Sequence, residues 1–265
     1  VQENLAKLSS WGFHQVGPDA GDLACGVQGL GRLASVDEIM EKIRQLLTPQ
    51  SLQGKQVLVT AGPTREMVDP VRHLTNPSSG KMGYALARVA KRRGAEVTLV
   101  SGPTFLNSPS GVKEIRVTTA KEMHQAVVEH MVQVDAVVMA AAVSDYRPKV
   151  TASEKIKKSD DNESLELERT DDILFRLGEL KNNQILVGFA AETENVLENA
   201  KKKLQQKNLD FIVANDLTAA SAGFGSDTNE VTILWPGGEV ENLPLESKEV
   251  IAAHIWNRVE RLWQA

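Results

Sequence analysis

The sequence predicts an α/β fold of the Rossmann-like type, in which helices cover both faces of a mainly parallel sheet. Strand-like and helix-like segments alternate from Lys55 onward, as a parallel sheet with crossover helices requires. The run DAVVMAAAV at residues 135–143 is apolar nearly throughout, which is typical of a central strand buried on both faces. A chain of 265 residues is long enough for such a three-layer domain with a substantial core.

The first half of the predicted domain has the order βαβαβ. The strand QVLVTAG ends at Gly62, and the apolar spacing of GYALARVAKRRG predicts a helix that ends at Gly94. The segments that follow are the strands AEVTLVSG and IRVTT, the helix AKEMHQAVVEHMV and the buried strand DAVVMAAAV.

The second half begins with a change of character. Residues 144–158, SDYRPKVTASEKIKK, are polar and basic with little periodicity, and we expect them to form a mobile flap. An edge strand (SLELERT), a helix (DDILFRLGEL), a strand (ILVGFAAET), a helix (ENVLENAKKKLQQKN) and a strand (DFIVANDL) follow. A hairpin (EVTILWPGGEVENLPL) and a closing amphipathic helix (SKEVIAAHIWNRVERLW) complete the domain.

Residues 1–50 differ from the rest of the chain. They are rich in glycine and too short to bury a core of their own, so we expect them to be the remnant of a larger unit. Residues 49–54 resemble a linker. The predicted boundary therefore divides the chain into residues 1–50 and a domain at residues 51–265.

Composition narrows the class of protein. The 42% apolar and 25% charged shares are those of an ordinary globular protein. The sequence has no apolar run near the roughly 18 residues of a membrane span and no signal-peptide core at its start, which predicts a soluble, cytoplasmic protein without a membrane partner. A net charge of −5 argues against nucleic acid as a partner. The single cysteine excludes a disulfide framework.

The loop after the first strand of the domain is unusually long and polar. Its end, SSGKMG, places Ser78, Ser79, Gly80, Lys81 and Gly83 where the next helix begins. The exposed N–H groups at a helix start favour an anion, and ligands of open α/β sheets bind beyond the carboxyl ends of the strands. Neither common nucleotide fingerprint is present, because G-x-G-x-x-G is missing and Lys81 is followed by methionine. A capped helix with a closely packed glycine is the alternative interpretation.

Seven motifs carry a resemblance to a known family. The motifs TAGPTRE, DPVR, TNPSSGKMG, AAVSDYRP, EKIKK, GFAAET and ANDL have the order and approximate spacing of the phosphopantothenoylcysteine synthetases, the ligase half of the bifunctional coenzyme A biosynthesis flavoproteins of bacteria. The resemblance covers residues 55–265. The preceding LACGVQGLGR resembles the tail of the decarboxylase half, whose FMN-binding domain would lie upstream, and Cys25 matches its proton-donating cysteine.

The resemblance implies a two-step ligation. CTP activates the carboxylate of 4′-phosphopantothenate as an acyl-cytidylate, and the nitrogen of L-cysteine then displaces CMP. Attack of one anion on another requires cations and in-line positioning, which lysines and Mg²⁺ supply. The resemblance also implies a homodimer, with the hairpin at residues 230–245 as a candidate contact element.

The resemblance further assigns the CTP site. Lys155 of the flap would close over the triphosphate as a catalytic cation, and Asp145 would bind Mg²⁺ or the nucleotide. Lys203 and Lys207, spaced as one helix face, would contact the triphosphate. The remaining positions that match CTP contacts are Met139, Ala140, Ala141, Asp171, Asp172, Ile173, Leu174 and Phe189. The alternatives are a solvated surface for the lysines, a helix cap for Asp145 and a core position for Phe189.

Asn76 is the predicted residue of the second step. An amide can donate a hydrogen bond to the acyl oxygen as negative charge develops there. Ser78, Ser79, Gly80, Lys81 and Ala142 are the other predicted contacts of phosphopantothenate. A local Asx turn before Pro77 is the alternative role of Asn76.

Two other functions compete with the ligase. A nicotinamide-dependent reductase would use the same topology, but it predicts an acidic residue where Gly102 and Pro103 end the second strand. A non-catalytic remnant of a bifunctional protein would leave Asn76, Asp145 and Lys155 dispensable.

Overall fold

A computed structural model of the chain describes residues 1–158, 164–192, 196–216 and 225–264. The chain divides into two compact units, residues 1–49 and 50–265. The first unit contains α1 (Gln2–Ser10), β1 (Asp19–Asp22), β2 (Gln28–Arg32) and α2 (Val36–Leu47). The helix α2 was predicted, and it begins at a capping box in which Ser35 and Glu38 satisfy each other's backbone N–H groups. The antiparallel pair β1–β2 was not predicted from its glycine-rich sequence.

The second unit contains the predicted alternation of strands and helices. Its elements up to the flap are β3 (Gln56–Ala61), β4 (Arg65–Met67), β5 (His73–Thr75), α3 (Lys81–Arg92), β6 (Glu96–Ser101), β7 (Lys113–Arg116), α4 (Ala120–Met131) and β8 (Ala136–Met139). Those that follow are β9 (Tyr146–Pro148), β10 (Leu167–Arg169), α5 (Ile173–Leu180), β11 (Ile185–Glu192), α6 (Val196–Gln206), β12 (Phe211–Asp216), β13 (Thr228–Leu234), β14 (Val240–Ser247) and α7 (Lys248–Gln264).

The central sheet has eight strands in the order β14-β13-β12-β11-β8-β3-β6-β7. The six strands from β12 to β7 are mutually parallel, and β13 and β14 are antiparallel to their neighbours. The predicted mainly parallel Rossmann-like sheet is therefore confirmed. The predicted hairpin forms β13 and β14, which extend this sheet at one edge.

Apolar side chains on both faces of the sheet produce three layers. On one face, α3 and α7 pack on the strands through residues such as Leu86 and Trp256, and the Trp256 indole N–H donates to the Leu86 carbonyl at 2.9 Å. On the other face, α4, α5 and α6 pack through Met123, Leu177 and Leu204. The long apolar strands thus require helices on both sides, as their composition predicted.

Two small antiparallel ribbons, β4–β5 and β9–β10, differ from the architecture predicted from the sequence. The long loop after β3 contains the pair β4–β5, whose strands are only three residues each. The predicted edge strand SLELERT does not join the central sheet, because β10 pairs with β9 of the flap. The flap is thus partly strand, and residues 159–163 between it and β10 lie outside the described residues.

The predicted linker is also corrected in part. Leu52 is fully buried in the core of the second unit, and its N–H donates to the Arg93 carbonyl at 2.9 Å. Residues 50–54 therefore belong to the α/β unit. Among the described helices of the chain, none has an apolar stretch long enough to cross a bilayer.

Candidate functional site

A cavity of about 820 Å³ opens near the point where the strand order of the sheet changes direction, between β3 and β8. From β3 the next strands are added on one side as β6 and β7, whereas β8 and the strands after it lie on the other side. The cavity lies at the carboxyl ends of β8, β11 and β12, the edge at which open α/β sheets bind ligands. Its walls come from the start of α3, the segment after β8, the start of α5 and the end of α6.

Hydrogen bonds join the segments that follow β3 and β8. The donors are three backbone N–H groups after β8, and the acceptors lie at the end of β3 and in the residues after it. The pairs are Ala141 N–H to Thr60 Oγ1 at 3.0 Å, Ala142 N–H to the Gly62 carbonyl at 2.9 Å, and Ser144 N–H to Thr64 Oγ1 at 3.0 Å. The segment after β8, which lines the cavity, is therefore held in place by the end of β3 and the residues after it.

Asn76 is part of the same wall. Its Nδ2 donates to the carbonyls of Ala142 at 3.2 Å and Val143 at 3.1 Å. The side chain thus connects distant segments instead of forming a local Asx turn. Both amide hydrogens are committed to main-chain carbonyls, so donation to an acyl oxygen requires the release of one of them.

The start of α3 presents backbone N–H groups to the cavity that have no side-chain cap among the described residues. Gly80 is the N-cap residue at φ +77°, with no side-chain cap, and the first turn of the helix contains no acidic residue. A side chain at Gly80 would be strained at this φ and would meet Thr104 Cγ2 at 2.7 Å. The predicted SSGKMG helix start therefore has the geometry of an anion site.

Two lysine ammonium groups lie beside this helix start. The Lys81 Nζ contacts the Asp227 carboxylate at 2.7 Å and the Gly225 carbonyl at 2.8 Å. The Lys248 Nζ donates to the Ser226 carbonyl. Burial, followed by the nearby Lys81 charge, lowers the pKa of Lys248. A bound anion would relieve this repulsion between the two cations.

Lys248 and Asn229 were missed by the sequence analysis, although both line the cavity. Asn229 is 3% exposed, and its Oδ1 has no hydrogen-bond partner among the described residues. Lys248 is the first residue of α7, where a cation is unfavourable beside the positive end of the helix dipole. That unfavourable position was the one feature of the sequence that could have marked Lys248 as a functional residue.

The opposite end of the cavity carries the predicted pair of lysines. Lys203 lies in the last turn of α6, and the Lys207 N–H closes a further turn on the Lys203 carbonyl at 3.0 Å. The Lys207 Nζ forms an ion pair with Asp172 at 2.9 Å, and Asp172 also caps α5 through the Phe175 N–H at 3.0 Å. The pairing with Asp172 partly neutralises the Lys207 cation.

Carboxylates in the cavity provide a limited set of metal ligands. Asp145 is exposed and follows β8, whereas Asp171 contacts His124 Nδ1 at 3.3 Å. Within the described ranges, no group of three or more His, Cys, Asp or Glu side chains is arranged to hold a metal. One or two carboxylates suffice for Mg²⁺ when phosphate oxygens and waters complete its coordination, so Asp145 fits that role.

The structure brings nearly all the predicted site residues together. Those that line the cavity are Asn76, Ser78, Ser79, Gly80, Lys81, Met139, Ala140, Ala141, Ala142, Asp145, Asp171, Asp172, Ile173, Leu174, Phe189, Lys203 and Lys207. Phe189 is half-buried and packs on the core, and its contact with a nucleotide stays a prediction.

Two predicted residues are not part of this cavity. Lys155 is exposed in the flap and is not among the lining residues. Cys25 is exposed in the turn between β1 and β2 of the first unit. The roles assigned to Lys155 and Cys25 therefore stay predictions.

Comparison with known proteins gives a consistent family. Residues 52–262 match the DNA/pantothenate metabolism flavoprotein C-terminal domain. The coenzyme A biosynthesis bifunctional protein CoaBC of Bacillus subtilis is 48% identical over 266 residues, which cover 99% of this chain and 66% of that protein. CoaBC of Vibrio parahaemolyticus is 45% identical over 265 residues, with 99% and 66% coverage. The chain thus spans about two thirds of the length of these relatives.

Solved structures agree with the sequence matches. The crystal structure of the C-terminal domain of a CoaBC protein is 50% identical and superposes with a TM-score of 0.70, covering 81% of this chain and 98% of that one. A Cab2 mutant in complex with phosphopantothenate-cysteine shares the fold at 16% identity and a TM-score of 0.65, over 87% of this chain and 96% of that one. These matches, together with the sheet order and the cavity, show that the chain belongs to the DNA/pantothenate metabolism flavoprotein C-terminal domain family.

Proposed function

We propose that the chain ligates 4′-phosphopantothenate to L-cysteine with CTP, as a phosphopantothenate–cysteine ligase of coenzyme A biosynthesis. The observation that carries the proposal is that Asn76, Asp145, Lys203 and Lys207 all line one cavity, near the point where the strand order of the sheet changes direction. The CoaBC relatives and the Cab2 complex with phosphopantothenate-cysteine support the same substrate class.

In the first step a phosphopantothenate carboxylate oxygen attacks the α-phosphorus of CTP, and pyrophosphate leaves. Lys203 and Lys207 offset the negative charge of the triphosphate, and Lys155 approaches from the flap. Asp145 would hold Mg²⁺, which supplies charge neutralisation on the phosphates.

In the second step the cysteine nitrogen attacks the acyl carbon, loses a proton, and CMP leaves with the bonding electrons. The wall of residues 141–144 and Asn76 holds the acyl group in place, which raises the effective concentration of the reacting atoms. Asn76 then stabilises the charge that develops on the acyl oxygen.

Pyrophosphate release separates this function from its competitors. The chain is incubated with 4′-phosphopantothenate, cysteine, Mg²⁺ and each nucleoside triphosphate in turn. We expect release with CTP in preference to the others. Absence of pyrophosphate release with every nucleotide would contradict the ligase function. In a parallel incubation with NAD(P)H in place of the nucleotide, consumption of NAD(P)H would favour a reductase. A homodimer, proposed from the family resemblance, is checked by the mass of the chain in solution.

Lys248 offers a first prediction at the end of the cavity formed by the start of α3. We expect Lys248→Gln to raise the KM of one phosphorylated substrate about 10- to 100-fold, because a charge-assisted hydrogen bond to phosphate is lost from a half-buried position. The KM values for CTP, phosphopantothenate and cysteine are measured separately. Lys121→Gln, an exposed substitution on α4, serves as the control, and an unchanged KM for both phosphorylated substrates would remove Lys248 from the site.

A further inference from the structure

Asp69 is a fully buried carboxylate in the loop between β4 and β5. Its Oδ1 accepts the Val71 and Arg72 N–H groups at 2.8 Å each, and its Oδ2 accepts Arg72 Nε at 2.9 Å and Nη2 at 2.5 Å. These donors hold the pKa of Asp69 well below its usual range, so the carboxylate is ionised. A buried charge with this many donors fixes the atoms around it firmly.

One further donor to Asp69 comes from the flap. The Ile156 N–H donates to Asp69 Oδ2 at 3.2 Å, and the Ile156 carbonyl accepts from Arg72 Nη2 at 2.7 Å. Both backbone groups of Ile156 are therefore held by the Asp69–Arg72 pair. The next residue toward the N-terminus is Lys155.

The flap is held on the other side of Lys155 as well. The Ala152 N–H donates to the Val68 carbonyl at 3.0 Å, and Thr151 Oγ1 donates to the Met67 carbonyl at 3.1 Å. Residues 151–156 thus follow the strand β4 and the loop after it. This part of the flap is attached to the α/β unit, which limits the mobility expected from its sequence.

The Lys155 side chain has a different environment from its backbone. In the described part of the chain, no hydrogen bond or ion pair engages the Lys155 ammonium. A fixed backbone with a free cationic side chain is an arrangement that presents the cation to a ligand at low entropic cost.

We propose that Asp69 is a positioning residue for Lys155: by holding the Ile156 N–H, it sets the place from which the lysine reaches the triphosphate in the first step. The proposal rests on the ligase function proposed above. A purely structural role is the competing explanation, in which Asp69 only stabilises the loop that leads through β5 to Asn76.

The two explanations differ in which reaction step they affect. If Asp69 positions Lys155, Asp69→Asn slows acyl-cytidylate formation at least 10-fold in single turnover and changes the reaction of supplied acyl-cytidylate with cysteine less than threefold. If Asp69 only supports the loop toward Asn76, the second step falls at least as much as the first. A loss in the second step equal to or larger than that in the first, or no loss in the first, would therefore overturn the proposal.

A second measurement does not depend on activity. Hydrogen–deuterium exchange of the peptides that contain residues 151–158 is expected to be at least 10-fold faster in Asp69→Asn than in the wild type. Unchanged exchange would contradict the anchoring contact itself. If the wild type releases no pyrophosphate with CTP, the ligase proposal fails, whereas the exchange experiment still decides whether Asp69 holds the flap.

Two further variants make the test robust. Ile156→Pro removes the N–H that Asp69 accepts from the flap and leaves the buried Asp69 paired with Arg72, so it is the substitute if Asp69→Asn does not fold. Proline also restricts the backbone of the preceding Lys155, and the same loss in the first step is expected. Asp135→Asn is the matched control, since Asp135 accepts the Gln56 N–H at 2.8 Å and pairs with Lys55 at the opposite end of the strands. We expect that control to change either step less than twofold.

Discussion

Asn76→Ala is expected to form acyl-cytidylate but to transfer it to cysteine about 100-fold more slowly, a typical loss for one oxyanion donor. Its Nδ2 donates to the Ala142 and Val143 carbonyls at 3.2 and 3.1 Å, on the wall that lines the cavity. During the second step one of these hydrogens would turn to the acyl oxygen. The two steps are measured separately, as accumulation of the acyl-cytidylate and as its consumption by cysteine.

Two further variants are needed to interpret that result, one at the same position and one as a control. Asn76→Asp has similar size, but its ionised carboxylate would face two carbonyl oxygens and donate to neither, so it should fail in the second step at least as severely as alanine. Asn182→Ala, at an exposed turn before β11, is the matched control and should stay within twofold of the wild type. Equal loss of both half-reactions in Asn76→Ala would instead assign Asn76 to the architecture of the wall.

Gly83→Ala is expected to lower the free energy of unfolding by about 3 kcal/mol, at the upper end of overpacking effects. A Cβ at Gly83 would lie 2.5 Å from Ala61 Cβ and 2.6 Å from the Thr60 carbonyl oxygen, so the start of α3 would have to move away from β3. For a domain of this size the midpoint of thermal unfolding should fall by about 6–12 °C.

The displacement of α3 should also affect function. The helix start carries Gly80 and Lys81 into the cavity, so ligation should fall by more than the loss of folded protein explains. Gly237→Ala is the control, because a Cβ there meets nothing within 4 Å in the exposed turn between β13 and β14. Thermal unfolding and pyrophosphate release are compared for both variants. A Gly83→Ala protein of native stability would show that β3 and α3 are not in firm contact.

The central sheet could be predicted from the sequence because its buried strands are recognisable as nearly uninterrupted apolar runs. The strands β3, β8 and β11 must be covered on both faces, and this composition alone requires two layers of helices. The ribbons β4–β5 and β9–β10 could not be predicted in the same way. The strands β4, β5 and β9 have three residues each, too few for a visible alternation of polar and apolar positions. The strand β10 lies within the predicted strand SLELERT, but its pairing with β9 depends on tertiary contact.

The site was predicted mainly through its motifs, and its omissions have a physical cause. Residues near a predicted strand end, such as Asp145, could be assigned because the carboxyl edge of a parallel sheet is a known place for ligands. Lys248 enters from α7 and Asn229 from β13, elements that the sequence assigned to the closing of the fold. Only the sheet order brings them to the cavity. The ion pair between Lys207 and Asp172 likewise depends on tertiary contact.

The hydrogen bonds between the residues after β3 and those after β8 determine how the site responds to its ligands. Because Thr60, Gly62 and Thr64 accept hydrogen bonds from the backbone of the opposite segment, contacts within the protein fix this wall. A wall fixed in this way loses little conformational entropy on binding and, in the proposed ligation, needs little reorganisation as charge moves between the two steps. Adjustment to the proposed substrates is then left to side chains, so calorimetry should record a small entropic cost of ordering for ligands that contact the wall alone.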